Sequence, residues 1–327
     1  MANVDAFDAL LRDFEEGKPR GLARAISWAE GGRGAELIRR LYSRTGRATT
    51  IGLTGPPGVG KSTLSSALIR KARSLGKTVG VISVDPSSPF SHGALLGDRI
   101  RLSEHFVDPD VFIRSMASRG HLGGLAGATG DAALLMDAFG LDIVLIETVG
   151  VGQSEIEIAE LAQTTLVALQ PGSGDSIQVL KAGIMEIADI FVVNKADHPM
   201  ANMMRREIRG MMEMLQFTGW VPELVMTQAL AGDGIDELWA AIEAHHVYLN
   251  ETGEIEAKRR EAFAHQVRQL ALGHLQRRLE RELSTNVRTD LDPYAAADAL
   301  LAEFNVRGEE GAADHATRPR ATVKGLT

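Results

Sequence analysis

The apolar run Thr50 to Thr54 passes into Gly55-Pro56-Pro57-Gly58-Val59-Gly60-Lys61-Ser62 and then, without a break, into an amphipathic stretch from Ser62 to Leu75. No other feature restricts the fold of this chain as much. A G-x-x-x-x-G-K-[ST] run between a strand and a helix forms a loop whose backbone N–H groups converge, and the dipole of the following helix favours an anion there. Such a strand belongs in a parallel sheet with its helix crossing over one face, so one segment already implies an α/β fold. Pro56 and Pro57 carry no N–H, which leaves Gly58, Val59, Gly60, Lys61, Ser62 and Thr63 to supply the donors. Lys61 is expected to reach the β and γ phosphates of a nucleotide, and the Ser62 hydroxyl to ligate Mg²⁺.

The chain beyond this segment keeps the same alternation. Strands are predicted at Thr50 to Thr54, Thr78 to Val84, Val111 to Ser115, Asp142 to Glu147, Thr165 to Gln170, Ile190 to Asn194 and Val221 to Thr227. Helices are predicted at Ser62 to Leu75, Leu122 to Phe139, Ser176 to Ile187, Met203 to Phe217 and Ile235 to His246. Upstream, Phe7, Leu10, Leu11 and Phe14, then Leu22, Ala25 and Ile26, then Leu37, Ile38 and Leu41 recur at helical spacing. Downstream, Ile255 to Leu283 reads as one long charged helix with Phe263, Val267, Leu270, Leu275, Leu279 and Leu283 roughly along one side. That stripe has to be covered, either by the main domain or by a second copy of the chain. The expected architecture is a P-loop NTPase with a mostly parallel central sheet flanked by helices. Residues 1–47 form an N-terminal helical extension, 48–250 the nucleotide domain, 251–307 a C-terminal helical arm and 308–327 a polar tail.

Composition narrows the function. With 44% apolar and 24% charged residues the chain is of ordinary globular type. No apolar run reaches the roughly 18 residues of a membrane span. A net charge of -8 offers no general positive field to nucleic acid or anionic lipid. The absence of cysteine excludes a disulfide framework, a thiolate zinc site and a cysteine nucleophile. The nine histidines show no ligand-like spacing, and the adjacent His245 and His246 are expected to face solvent. Met1 to Arg20, with its five acidic residues, matches neither a secretory signal nor a transit peptide, so a cytoplasmic location is expected.

Asn194-Lys195-Ala196-Asp197 follows the apolar run Ile190 to Val193, at the C-terminal edge of the sheet where ligands bind in open α/β folds. A carboxylate at Asp197 only accepts hydrogen bonds. Guanine offers two adjacent donors, whereas adenine offers an acceptor at N1, so the site favours GTP and GDP. Gln228-Ala229-Leu230 is placed to close over the base with backbone N–H groups. The strand ending in Glu147 delivers a carboxylate able to hold the metal through water, and the N–H of Gly150 is placed to sense the γ phosphate. Asp85 is a second metal-side carboxylate. Asp98 is a third candidate, with an ordinary helix-start residue as its alternative.

The runs Asp85-Pro-Ser-Ser-Pro, Gly97-Asp-Arg-Ile-Arg101, Glu147-Thr-Val-Gly-Val-Gly-Gln-Ser154, Pro171-Gly-Ser-Gly-Asp175 through Gln178 and Lys181, and Asn194-Lys-Ala-Asp197 together resemble the MeaB/ArgK family. These are chaperone GTPases of the SIMIBI class that attend adenosylcobalamin-dependent acyl-CoA mutases. The resemblance covers about residues 20 to 290. It implies a homodimer joined through C-terminal helices and a partner mutase of the methylmalonyl-CoA type, whose cofactor loading is gated and whose activity is protected. No cobalamin is expected on this chain itself. It also implies that Gly172 to Lys181, with Asp175, Gln178 and Lys181, is a switch coupling nucleotide state to the partner. Two positions depart from pattern. Gln228 stands where relatives often have serine, and Val151 follows Gly150 where Ras-like GTPases place a water-orienting glutamine, Gln153 lying nearby at a different spacing. Hydrolysis is therefore expected to be slow alone and stimulated by the partner. The alternative is a nucleotide-dependent kinase associated with amino-acid transport, which would have no reason to carry Asp197. A nickel-insertion GTPase would share the fold but lacks its usual metal store here.

Overall fold

The computed structural model describes residues 2–86, 102–118, 124–148, 154–172, 184–215, 217–285 and 288–302. Asp98, Gly150, Gln153, Asp175, Gln178, Lys181 and most of the helix expected at Ser176 to Ile187 lie outside the described residues. The chain forms two compact units, residues 1–270 and residues 271–327.

The first unit is built on seven strands: β1 (Thr49–Thr54), β2 (Val79–Pro86), β3 (Val111–Ser118), β4 (Ile143–Thr148), β5 (Thr164–Leu169), β6 (Ile190–Asn194) and β7 (Glu223–Thr227). They pair in the order β3-β2-β4-β1-β5-β6-β7, every pair parallel. All seven expected strands form. β7 begins after Pro222 rather than at Val221, since a proline has no N–H to give to a ladder. β4, β5 and β6 are buried at every position, which is why they read as continuous apolar runs rather than as alternation.

The helices of this unit are α1 (Ala2–Glu15), α2 (Pro19–Glu30), α3 (Ala35–Leu41), α4 (Lys61–Ser74), α5 (Gly124–Phe139), α6 (Ser154–Leu161), α7 (Ala201–Met214), α8 (Ile235–Thr252) and the first part of α9 (Glu254–Thr285). Alternate strand residues feed opposite cores, as the period of two requires. Leu166 and Ala168 join Leu64 and Leu68 of α4 and Trp239 and Ile242 of α8. Val167 and Leu169 point the other way, toward Met204 and Ile208 of α7. Leu10, Phe14, Leu22, Ile26 and Leu37 pack with Met136 of α5 onto Ile82, Val84, Val144 and Ile146, so the N-terminal helices share a core with the sheet. Asp137 of α5 fixes the approach to β1 by accepting from the backbone N–H of Gly46, Arg47 and Ala48 at 2.5, 3.1 and 2.9 Å.

At the N-terminal edge of the sheet a polar knot ties α8 and α9 to the strands. Asp189, just before β6, accepts from the Thr165 N–H at 2.7 Å and from Lys258 Nζ at 3.1 and 3.0 Å. His245 lies between Thr164 Oγ1, 2.9 Å from its Nδ1, and Asp189 Oδ1, 3.3 Å from its Nε2. The expectation that His245 faces solvent is corrected here: it is 1% exposed, because it falls on the same face of α8 as the buried Leu238, Ile242 and Leu249. Burial pushes His245 down to about 4, and Lys258 on the same carboxylate weakens the opposing pull of Asp189. Asp131 of α5 is pushed up to about 6 by burial, although Gln266 Nε2 of α9 donates to it at 2.9 Å.

These two groups respond to acid in opposite ways. An unfolded histidine protonates near 6.5, so the stability gained by keeping His245 neutral is complete above that pH and is lost as pH falls toward 4. The buried Asp131 takes up its proton before its unfolded counterpart at 3.8, so its cost is relieved as pH falls through 6. Each effect is worth roughly 3 kcal/mol at most, at about 1.4 kcal/mol per unit. Relative to the wild type, His245→Gln is expected to lose less stability between pH 6.5 and 4, and Asp131→Asn more. Urea unfolding across that range measures both slopes, and parallel profiles would remove these residues from the acid response.

The second unit contains the C-terminal part of α9 and a helix at residues 293–302, here α10. Asp292 caps α10, accepting from the N–H of Tyr294 and Ala295 at 3.0 and 3.1 Å. Along α9, Phe263, Val267, Leu270, Leu272, Leu275 and Leu283 are exposed.

Candidate nucleotide site

Every predicted site residue that is described sits at the C-terminal edge of the sheet, where β1, β2, β4, β6 and β7 end. β1 ends at Thr54 and the chain turns at Gly55, whose φ is 140°. A Cβ there would stand 2.1 Å from the Ala168 carbonyl oxygen of β5, so only glycine fits. Gly60, at φ 93°, precedes the first turn of α4, and a Cβ on it would stand 2.6 Å from Asn194 Nδ2. Among the described residues, the backbone N–H groups of Gly58, Val59 and Gly60 hold no partner. Together with the first N–H groups of α4, at Lys61, Ser62 and Thr63, they form an array of donors suited to an anion. Lys61 Nζ donates to the carbonyls of Gly55 at 2.6 Å and Pro56 at 3.0 Å, which holds its charge against the loop.

Glu147 emerges from β4 beside this loop and is 2% exposed. It accepts from Ser62 Oγ at 2.8 Å and from Ser65 Oγ at 2.7 Å. Ser65 was not singled out from the sequence, although a hydroxyl three residues after Ser62 on a helix shares its face. Asp85 is the penultimate residue of β2, one strand away, in a ladder where Ser83 pairs with Glu147. The Ser62 hydroxyl and Glu147 carboxylate are hard oxygen donors in contact, a donor set that fits Mg²⁺.

Asn194 joins the second motif to the first. Its Nδ2 donates to the Val59 carbonyl at 2.8 Å, while its Oδ1 accepts from Thr227 Oγ1 and from the Ala229 N–H, each at 3.1 Å. Lys195, at φ 58°, sends its Nζ back to the Gly58 carbonyl at 2.9 Å. The Ala196 N–H donates to the Thr227 carbonyl at 3.0 Å, which braces the turn that presents Asp197. Asp197 is exposed, and among the described residues its carboxylate makes no hydrogen bond or ion pair. Of the three N–H groups expected to close over a base, that of Gln228 donates to the Asp233 carbonyl at 2.9 Å and that of Ala229 to Asn194. Only the Leu230 N–H is without a partner among the described residues, on a residue 91% exposed.

Residues 22–284 match the family described as "Methylmalonyl Co-A mutase-associated GTPase MeaB". A Pyrococcus horikoshii protein named "Putative GTPase" is 44% identical over 311 residues, covering 91% of this chain and 98% of its own. GTPase ArgK of Escherichia coli is 33% identical, covering 93% of this chain and 94% of its own. The mouse protein named "Methylmalonic aciduria type A homolog, mitochondrial" is 32% identical, over 92% of this chain and 80% of its own. Among solved structures, a LAO/AO transport system kinase superposes with a TM-score of 0.69 at 25% identity, covering 91% of this chain and 97% of that one.

Proposed function

Because this chain belongs to the MeaB family of methylmalonyl Co-A mutase-associated GTPases, we propose that it uses GTP binding and hydrolysis to gate cofactor loading of an adenosylcobalamin-dependent acyl-CoA mutase and to protect that enzyme. One observation carries the nucleotide half of this reading. The bond from Asn194 to Val59 supports it, since it ties the turn that carries Asp197, whose carboxylate has no partner among the described residues, to the loop whose N–H groups suit an anion. The mutase half rests on the family. In this reading Asp197 takes the guanine donors, Gly58 to Thr63 cradle the phosphates, and Lys61 leaves the Gly55 and Pro56 carbonyls for the β and γ oxygens. Ser62, Glu147 and Asp85 hold Mg²⁺, Asp98 being the remaining candidate; the ion neutralises charge on the phosphates when bound.

No side chain follows Gly150 with the reach and spacing to orient the hydrolytic water, since residue 151 is valine. A GTPase missing one part acquires it when a partner orders a switch. Gln153 and the segment with Asp175, Gln178 and Lys181 are proposed for that coupling. The test is GTP turnover by the isolated chain and with a methylmalonyl-CoA-type mutase added. Stimulation of at least about tenfold is expected, as ordering a catalytic element is worth orders of magnitude in this chemistry. Lys181→Ala should lose that stimulation; equal turnover with and without every such mutase would end the chaperone reading and leave the GTPase reading standing. A nucleotide-dependent kinase associated with amino-acid transport gains nothing from a carboxylate that selects guanine.

The exposed apolar residues of α9 support a homodimer as the functional unit. Truncation after Leu270 keeps Lys258 and Gln266 on the first unit and should give a nucleotide-binding monomer by sedimentation, whereas a monomeric full-length chain would refute the dimer.

A further inference from the structure

Lys195 Nζ has two acceptors. One is the Gly58 carbonyl at 2.9 Å; the other is Gln170 Oε1 at 2.6 Å. Gln170 is the residue directly after β5 and belongs to none of the nucleotide motifs. Three strand ends thus meet on one ammonium: the loop after β1 through Gly58, the end of β5 through Gln170, and the end of β6 through Lys195 itself. Lys195 is the one non-glycine residue at positive φ among the described residues, a conformation that L residues adopt only when their surroundings hold them there. A lysine side chain has several rotatable bonds and a compact charge that is satisfied equally well by water. A single carbonyl leaves it free to swing; a second acceptor from another strand fixes the direction of the whole stem.

We infer that Gln170 is a positioning residue for guanine-nucleotide binding, holding the Lys195 stem in place as an apolar wall of the base pocket beside Asp197. The stem runs from the turn that presents Asp197 to the phosphate loop at Gly58, so a nucleotide bridging those two points lies along it. Its methylenes offer a flat apolar surface to a base or ribose while the charged end stays hydrogen-bonded. Gln170 touches Lys195 and acts through it. This inference rests on the reading of the edge as a guanine-nucleotide site.

The experiment follows release of a fluorescent GDP analogue by stopped flow from the full chain as wild type, Gln170→Ala, Gln170→Met, Gln170→Glu, Lys195→Ala and the Gln170→Ala/Lys195→Ala pair, with thermal unfolding of each alongside. Loss of one hydrogen bond to a charged group should speed release by about tenfold in Gln170→Ala and in Gln170→Met, which keeps the volume without the accepting oxygen. Gln170→Glu keeps an acceptor at the same reach and should release within about twofold of wild type. Adding Gln170→Ala to Lys195→Ala should change release no further, because the residue it acts through is gone. Wild-type release rates in both Gln170→Ala and Gln170→Met, or additive effects in the pair, would overturn the inference while leaving the nucleotide reading intact. A wild type that does not retain the GDP analogue would overturn that reading, and this inference with it. Lower melting temperatures with unaltered release would show that Gln170 only ties β5 to β6.

Discussion

Asparagine in place of Asp197 is expected to weaken GTP and GDP binding by about two orders of magnitude or more and to turn the site toward xanthosine triphosphate. The carboxylate is exposed and makes no bond among the described residues, so its accepting capacity is kept for a ligand. Two hydrogen bonds from guanine to a charged acceptor are worth about 1.5 to 3 kcal/mol each. An amide keeps one acceptor but sets a donor against the guanine 2-amino group, while the 2-oxo group of xanthine accepts that donor. Calorimetry with both nucleotides reads the change. The fold should be unaffected, since the turn is braced by the backbone of Ala196 rather than by the Asp197 side chain. Unchanged GTP affinity would remove Asp197 from the base site.

Lys61→Ala is expected to lower GTP turnover by about a thousandfold, the scale of losing a fixed donor from the charge that develops in phosphoryl transfer. Lys61 is buried, and its ammonium donates to the carbonyls of Gly55 and Pro56. Neutral carbonyls in a loop are weaker company for an ammonium than phosphate oxygens. The substitution therefore removes charge from the site and leaves the cores around Leu64 and Leu68 in place. Steady-state turnover with Mg²⁺ should fall while the melting temperature stays close to that of the wild type. Turnover at the wild-type level would show that hydrolysis occurs elsewhere.

The parallel sheet was readable from the sequence because strands buried on both faces leave uninterrupted apolar runs such as Phe191-Val192-Val193. The site was readable because the phosphate loop and the Asn194 turn use residues with few substitutes. α6 was not foreseen: Glu155-Ile156-Glu157-Ile158 alternates polar and apolar residues as a strand would, and an eight-residue helix is too short to show its own period. His245 was misread because local spacing cannot report a partner as distant as Asp189. Ser65 and Gln170 escaped for a related reason. Each is an ordinary polar residue whose role comes from a group on another strand, Glu147 in one case and Lys195 in the other. The use of the Ala229 N–H on Asn194, rather than on a base, is likewise a property of two loops meeting in space.

The close approach of Gly60 to Asn194 also bears on descent. With asparagine present, any side chain at position 60 collides with its amide, which would lie 2.6 Å from the new Cβ. With asparagine trimmed first, the Val59 carbonyl, the Thr227 hydroxyl and the Ala229 N–H each lose a partner at once. A side chain at position 60 carries the strain of φ 93° in either background, and with asparagine present it carries the collision as well, so the two positions are coupled although far apart in the chain. Lineages that keep the asparagine turn are thereby compelled to keep this glycine, whatever nucleotide they come to bind.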